Sequence, residues 1–217
     1  MWGKQAFVII TTAAGVAAIG LSHSPVFATS GWTVTPGGAA TASESGWAQF
    51  TDTTDGTPMP ECKSSSLAVT LQKGSGLAGA DIGSITKPAF NNCKGPPAAL
   101  PNLTFTYGGL PWHLNALSYD SSTGVVNGTI TGIKIDVAGD GCKFVIDGTA
   151  SGADGRVDVT YTNATGELAI LPSGGNLHFY HVSDCYGLIK DGDSATISNE
   201  ENQPLDYAVS PGQAITQ

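Results

Sequence analysis

The sequence predicts an all-β protein, an antiparallel β-sandwich or barrel with two disulfides, following an N-terminal signal peptide. Three observations lead to this fold class. Charged residues make up only 12% of the chain, whereas the solvated faces of helices normally carry many of them. Apolar and polar residues alternate with period two in several segments, which is the strand pattern. Four cysteines follow an apolar N-terminal run, and export favours their pairing.

The first 28 residues have the organisation of a secretory signal peptide. Lys4 precedes an apolar run from Ala6 to Leu21, and Val26-Phe27-Ala28 provides a cleavage site of the small-x-small type. The apolar run is short for a membrane span, and no cysteine lies at the cleavage site for lipid attachment. We therefore expect a secreted protein, extracellular or associated with the cell envelope, that begins at Thr29 and contains no transmembrane helix.

The next segment, residues 29–46, is small and polar, and we expect it to be loose apart from one short edge strand. Trp32 to Thr35 forms that strand, and Pro36-Gly37 ends it. Val209-Ser210-Pro211-Gly212 resembles this motif at the other end of the chain and predicts a second edge strand, because proline is confined to edges and strand ends. Residues 47–217 form a single β domain in this prediction.

Within that domain, strands follow one another with short turns. Leu67 to Gln72 and Leu103 to Tyr107 alternate with period two, and so does Asn176 to Val182. The clearest hairpin runs from Thr129 to Thr149, with Gly139-Asp140-Gly141 at its turn, since these residues tolerate positive φ. Cys142 shares a face with the apolar residues of the returning strand, so we expect it to point inward.

All four cysteines are predicted to be structural: Cys62, Cys93, Cys142 and Cys185. They lack the Cys-x-x-Cys spacing of zinc and redox sites. Four cysteines allow three pairings. Sequential pairing closes the shortest loops and is the first choice, while the other two connectivities stay open.

No catalytic, cofactor or metal site is predicted. His178 and His181 are three residues apart on a strand and therefore face opposite ways. Asp136 to Asp147 only superficially resembles a calcium loop, because it lacks the expected ligands and flanking helices. Asp191-Gly192-Asp193 is interpreted as a turn first and an ion ligand second.

Two residues are candidates for ligand contact. Trp112, with His113 beside it, follows Gly108-Gly109-Leu110-Pro111. On an exposed loop this indole would stack on a sugar or a partner, and in the interior it would be core. His113 is interpreted as a packed side chain rather than a base.

Acidic residues keep an enzyme among the alternatives, because two carboxylates distant in sequence can meet in space, as in glycosidases. Four glutamates are interpreted as turn or end residues: Glu61, Glu167, Glu200 and Glu201.

An ordered set of motifs resembles a group of small secreted β-rich actinobacterial proteins with four cysteines, whose function is uncharacterised. The motifs are Ile82-Gly83-Ser84-Ile85, Phe90-Asn91-Asn92-Cys93, Gly109-Leu110-Pro111-Trp112, Gly128-Thr129-Ile130-Thr131-Gly132-Ile133, Gly141-Cys142, Gly187-Leu188-Ile189 and Val209-Ser210-Pro211. The resemblance implies export and a disulfide-linked β fold. It transfers no catalytic residue.

The functional prediction is a non-enzymatic secreted or cell-envelope binding or structural module. Its net charge of −9 makes nucleic acid a poor partner, and the partner expected is an unidentified extracellular or cell-wall component. No cofactor is expected. The alternatives are a secreted hydrolase acting on a glycan and an outer-envelope β-barrel pore.

Overall fold

The computed structural model describes residues 31–44, 46–96, 100–150 and 152–217. The signal peptide predicted for residues 1–28 lies outside these ranges. Within them the chain forms sixteen β-strands and no helix, so the all-β prediction is confirmed. None of these described residues belongs to a helix long and apolar enough to cross a membrane.

The strands are β1 (Trp32–Thr35), β2 (Gly38–Glu44), β3 (Ala48–Asp52), β4 (Thr57–Leu71), β5 (Gly74–Leu77), β6 (Gly83–Lys94), β7 (Thr104–Gly108), β8 (Trp112–Asp120), β9 (Val125–Gly139), β10 (Cys142–Asp147), β11 (Gly155–Thr162), β12 (Glu167–Ile170), β13 (His178–Ser183), β14 (Ala195–Ser198), β15 (Leu205–Ser210) and β16 (Ala214–Thr216).

Eight strands form a closed ring of antiparallel pairings. β2 pairs with β4, β4 with β6, β6 with β8, and β8 with β9. The ring continues from β9 through β11, β12 and β15, and it returns to β2. Apolar side chains from six of these strands line a cavity of about 60 Å³, among them Val69, Leu114, Val126, Val159 and Leu168. The alternation seen in the sequence thus turns one face of each strand toward a shared interior.

Beyond the ring, the long strands β4 and β9 change partners and build two facing sheets. The first half of β4 pairs with β3, which pairs with β14. The second half of β9 pairs with β7 and β10, and β10 pairs with β13. The change in β9 follows Gly132, whose φ of +80° is a conformation that other residues rarely adopt.

Aromatic side chains fill the space between these sheets. The ring centroids of Phe50 on β3 and Phe90 on β6 are 5.2 Å apart. The ring centroid of Phe105 on β7 lies 5.6 Å from that of Phe90. Edge-to-face and offset contacts of this kind contribute beyond the apolar area that they bury. Phe144 of β10 and Phe179 of β13 form a further pair at 5.6 Å.

A small three-stranded sheet, β16-β1-β5, joins the two ends of the described chain. Its residues Trp32 and Val34 are buried. The Tyr161 hydroxyl donates to the carbonyl oxygen of Gln213 at 2.9 Å and accepts from its N–H at 2.8 Å. Since Gln213 and Ile215 also line the ring cavity, this sheet closes one end of it.

The N-terminal segment differs from its prediction. Trp32 to Thr35 is a strand as expected, but β1 is the middle strand of its sheet and not an edge. Residues 38–44, expected to be loose, form β2, which pairs with β4 and β15 on its two sides. Alternate alanines, Ala40 and Ala42, are buried, so the inward face of β2 consists of small side chains. The segment was predicted to be loose because it lacks the large apolar residues that usually mark such a face. β15, the second predicted edge strand, is likewise paired on both sides.

The two disulfides join Cys62 to Cys93 and Cys142 to Cys185, which is the sequential pairing. Cys62 and Cys93 are directly opposite each other on β4 and β6. The second bridge ties the first residue of β10 to the loop after β13. All four cysteines are buried, as expected for Cys142.

Removing either bridge is expected to destabilise the protein by about 4 kcal/mol, because the closed loops span 31 and 43 residues and the entropy of the unfolded chain rises accordingly. The double variants Cys62→Ala/Cys93→Ala and Cys142→Ala/Cys185→Ala test this by urea unfolding. A loss smaller than about 1 kcal/mol for either pair contradicts the expectation for that bridge.

Candidate functional site

An acidic surface pocket is the strongest candidate for a binding site. Its volume is about 270 Å³, and the acidic residues that line it are Glu44, Glu200, Glu201 and Asp206, with Trp47 beside them. It is larger than the apolar cavity in the ring and than a cleft of about 170 Å³ beside His178. We call it the acidic pocket.

Two ring strands supply Glu44 and Asp206. Glu44 is the last residue of β2 and pairs with Ser65 of β4. Asp206 lies on β15, between the buried residues Leu205 and Tyr207, so the alternation of the strand turns its carboxylate outward. The Tyr207 hydroxyl and Ser65 Oγ are hydrogen-bonded at 2.8 Å, and this contact joins β4 and β15 beneath the pocket.

A tight turn after β14 presents Glu200 and Glu201. The side-chain oxygen of Asn199 accepts hydrogen bonds from the backbone N–H groups of Glu201 and Gln203, both at 2.9 Å. Asn202 adopts a φ of +57°, which asparagine tolerates better than most residues. The two glutamates therefore project from a turn that is held by its own side chain.

Trp47 completes the pocket from the segment before β3. Because β3 pairs with β14 in a register that places Gln49 opposite Ser198, Trp47 and Asn199 are brought to the same end of the strand pair. The Lys94 ammonium lies 5.1 Å from the centroid of the Trp47 ring, within the range of a cation–π contact. The half-buried indole is thus already in contact with a positive charge.

Glu44 differs from the other carboxylates of the pocket. Burial raises its pKa, the charge of Asp206 raises it further, and a hydrogen bond from the Gly46 N–H opposes both effects. Its Oε2 atom is buried and has no hydrogen-bond partner. Glu44 therefore holds a proton at a higher pH than an ordinary glutamate does.

The two ligand-contact candidates from the sequence lie elsewhere. Trp112 is only 3% exposed, its indole N–H donates to the Gly108 carbonyl at 2.9 Å, and its ring packs edge-on against Tyr107. Trp112 is thus a core residue. His113 is exposed, with its Nδ1 atom 2.7 Å from a carboxylate oxygen of Asp81, and ligand contact there stays a prediction.

The remaining candidates are dispersed. Glu61 was predicted at a turn or strand end but lies within β4, where its carboxylate pairs with Lys94 at 3.8 Å. Glu167 begins β12. His178 Nδ1 contacts the Asn176 carbonyl, and His181 Nε2 contacts the Ala150 carbonyl, each at 2.9 Å. These histidines make separate backbone contacts and do not share a partner.

Sequence reasoning missed Glu44 and Asp206 as site residues and assigned Glu200 and Glu201 only to a turn. The turn assignment is correct, but the local pattern does not reveal which distant residues face it. Asn199 followed directly by two glutamates, with Pro204 at the end of the segment, was a local signal for a rigid acidic turn.

No known protein family, curated protein or solved structure matches the chain. The site is therefore interpreted from its own geometry.

Replacing Glu44 with glutamine is expected to stabilise the protein near neutral pH. Because its pKa is raised, Glu44 loses its proton at a higher pH in the folded state than in the unfolded state. Wild-type stability therefore falls as the pH rises above 4.5, the ordinary pKa of glutamate. A neutral glutamine avoids this loss. We expect a gain in melting temperature of about 1–3 °C at pH 7 that disappears near pH 4.

Melting curves of both proteins at the two pH values test this. Asp136→Asn, an exposed change on β9 away from the pocket, is the control. A Glu44→Gln variant that is less stable than wild type at pH 7 contradicts the assignment.

Proposed function

We propose that the protein is a secreted or cell-envelope binding module that captures an amine-bearing unit of an extracellular polymer in the acidic pocket. The observation that carries the proposal is the convergence of four carboxylates on one pocket. The all-β fold with two disulfides supports export, because paired cysteines persist in oxidising compartments.

Charge favours a cationic ligand over a neutral one. Clustered carboxylates create a negative potential that raises the local concentration of cations, and the net charge of −9 adds to it. Each carboxylate accepts hydrogen bonds from an ammonium group, and these charge-assisted bonds are stronger than neutral ones.

The shape of the pocket favours a small group. Its volume of about 270 Å³ lies just below the usual range for drug-sized ligands, so it fits one amino-sugar ring or one side chain rather than a long segment. Trp47 offers an aromatic surface next to the carboxylates, and aromatic rings suit both sugars and cations.

Binding is expected to depend on the positive charge of the ligand. Oligomers of glucosamine and the N-acetylated oligomers of the same length differ mainly in that charge. Isothermal titration should detect binding of the amine form and weakening as salt is added. The Glu200→Gln/Glu201→Gln variant should bind about tenfold more weakly, equivalent to roughly 1.4 kcal/mol.

The matched control is Asp136→Asn, which changes an exposed carboxylate on β9, between β7 and β10 and away from the pocket, and should bind as wild type does. Equal affinity for the acetylated and amine forms contradicts the proposal, because recognition then does not depend on charge. Binding that survives the double change in the turn contradicts the location.

One observation favours the hydrolase as a second candidate. Glu44, with its raised pKa, lies near the charged Asp206, and a protonated acid beside an ionised carboxylate is the pairing that glycosidases use. In that case Glu44 would protonate the leaving oxygen. Release of reducing ends from the same oligomers, abolished in Asp206→Asn, would establish the hydrolase, and binding without release would establish the module.

The distribution of exposed apolar residues favours the binding module over the pore. Among the described residues, the large apolar side chains that are exposed are Leu110, Leu117 and Tyr186. They lie on separate segments, whereas a pore in an outer envelope requires a continuous outward apolar belt.

A further inference from the structure

A second group of acids lies at the other end of the β3–β14 strand pair. Asp52, Asp55 and Asp193 each place one carboxylate oxygen within 4.8 Å of the others. Pairing of Asp52 with Ala195 brings the end of β3 beside the start of β14. The Thr53 N–H also donates to the Ser194 carbonyl at 2.9 Å. These contacts unite residues that are about 140 positions apart in the sequence.

Asp52 distinguishes this group from an ordinary acidic surface. Its side chain is fully buried. The Oδ1 atom accepts a hydrogen bond from the Thr54 N–H at 2.7 Å, but the buried Oδ2 atom has no hydrogen-bond partner. A buried carboxylate oxygen without a partner is costly, and a bound cation would remove that cost.

Among the residues that the structure describes, Lys190 is the cation paired with this group. Its ammonium lies 2.8 Å from Asp55, and its backbone N–H donates to Asp193 Oδ2 at 2.7 Å. The hydrogen bond to Asp55 raises the pKa of Lys190, as do the charges of Asp55, Asp193 and Asp52. One ammonium faces three carboxylates, so positive charge is still in deficit.

We propose that Asp52, Asp55 and Asp193 form a calcium site in which the ion displaces the Lys190 ammonium from Asp55. Hard carboxylate oxygens are the ligands that calcium prefers, and its flexible coordination accommodates three carboxylates with water in the remaining positions. Asp55 is exposed and Asp193 is partly exposed, so an ion would enter the site from the solvent side.

Such a site would be weak and structural. Dissociation constants of extracellular calcium modules lie around 10⁻⁴ to 10⁻³ M. Competition from the Lys190 ammonium favours the weaker end of this range. The bound ion would clamp the turn between β3 and β4 to the segment that leads into β14. This proposal is independent of the acidic pocket, whose residues lie at the opposite end of the same strand pair.

Thermal unfolding of the wild-type protein in calcium chloride tests the site. About 10 mM calcium should raise the melting temperature by about 3–6 °C relative to the same ionic strength of sodium chloride. Asp193→Asn, a surface change of similar shape, should abolish this rise. Lys190→Met should enlarge it, because the competing ammonium is gone.

Two controls make the result specific. Asp184→Asn removes one exposed carboxylate from the start of the same connection between β13 and β14 and should respond to calcium as wild type does. Glu200→Gln/Glu201→Gln should also respond fully, which separates this site from the acidic pocket. The proposal is overturned if wild type shows no calcium-specific rise, or if Asp193→Asn keeps it. Calorimetric titration with calcium of the wild type and Asp193→Asn provides a readout that does not depend on stability.

Discussion

Two long strands, β4 and β9, each change pairing partners along their length, and these changes determine how the rest of the molecule is arranged. Each strand has fifteen residues. β4 pairs first in the facing sheets and then in the ring, whereas β9 pairs first in the ring and then in the facing sheets. A strand can have only two hydrogen-bonded neighbours at any point, so each change of partner transfers the chain from one arrangement to the other. The Cys62–Cys93 bridge joins β4 to β6 within the facing-sheet region, and it therefore reinforces one of these shared strands.

Both acidic sites follow from the short β3–β14 pair that is attached to β4. Its register places Ser198 opposite Gln49 at one end and Ala195 opposite Asp52 at the other. Loops leave both ends, and loops are where polar side chains converge on a rigid scaffold. The same strand pair thus presents Trp47 with Glu200 in one direction and Asp55 with Asp193 in the other.

Local pattern predicted the strands well because alternation reports burial directly. The hairpin of β9 and β10, the strand β7 and the inward direction of Cys142 all follow from period two. Prediction failed where burial had another signature. Ala40 and Ala42 face the interior of the ring, but alanine alternating with polar residues resembles a loose segment. The burial of Trp112 was ambiguous because a glycine-rich segment precedes it. The sequence alone does not distinguish an exposed glycine-rich loop from the start of a buried strand.

The sites were less predictable, because they depend on pairing between distant segments. Nothing near Glu44 in the sequence indicates Asp206, since only the order β12-β15-β2 brings them together. Asp193 was assigned to a turn, and it does form one by accepting from the Lys190 N–H. Its nearness to Asp52 requires the β3–β14 register, which no local pattern contains.

The two acidic sites differ in the cation that each can accept. In the acidic pocket the carboxylates surround about 270 Å³, so a large organic cation can enter with its hydration partly retained, and attraction there is screened by salt. In the aspartate group the oxygens lie within 4.8 Å of one another, a spacing that suits direct coordination of a small ion. The unpartnered Asp52 oxygen is buried, where salt screens weakly. Monovalent salt should therefore weaken cation binding in the acidic pocket much more than in the aspartate group, even though both sites are acidic.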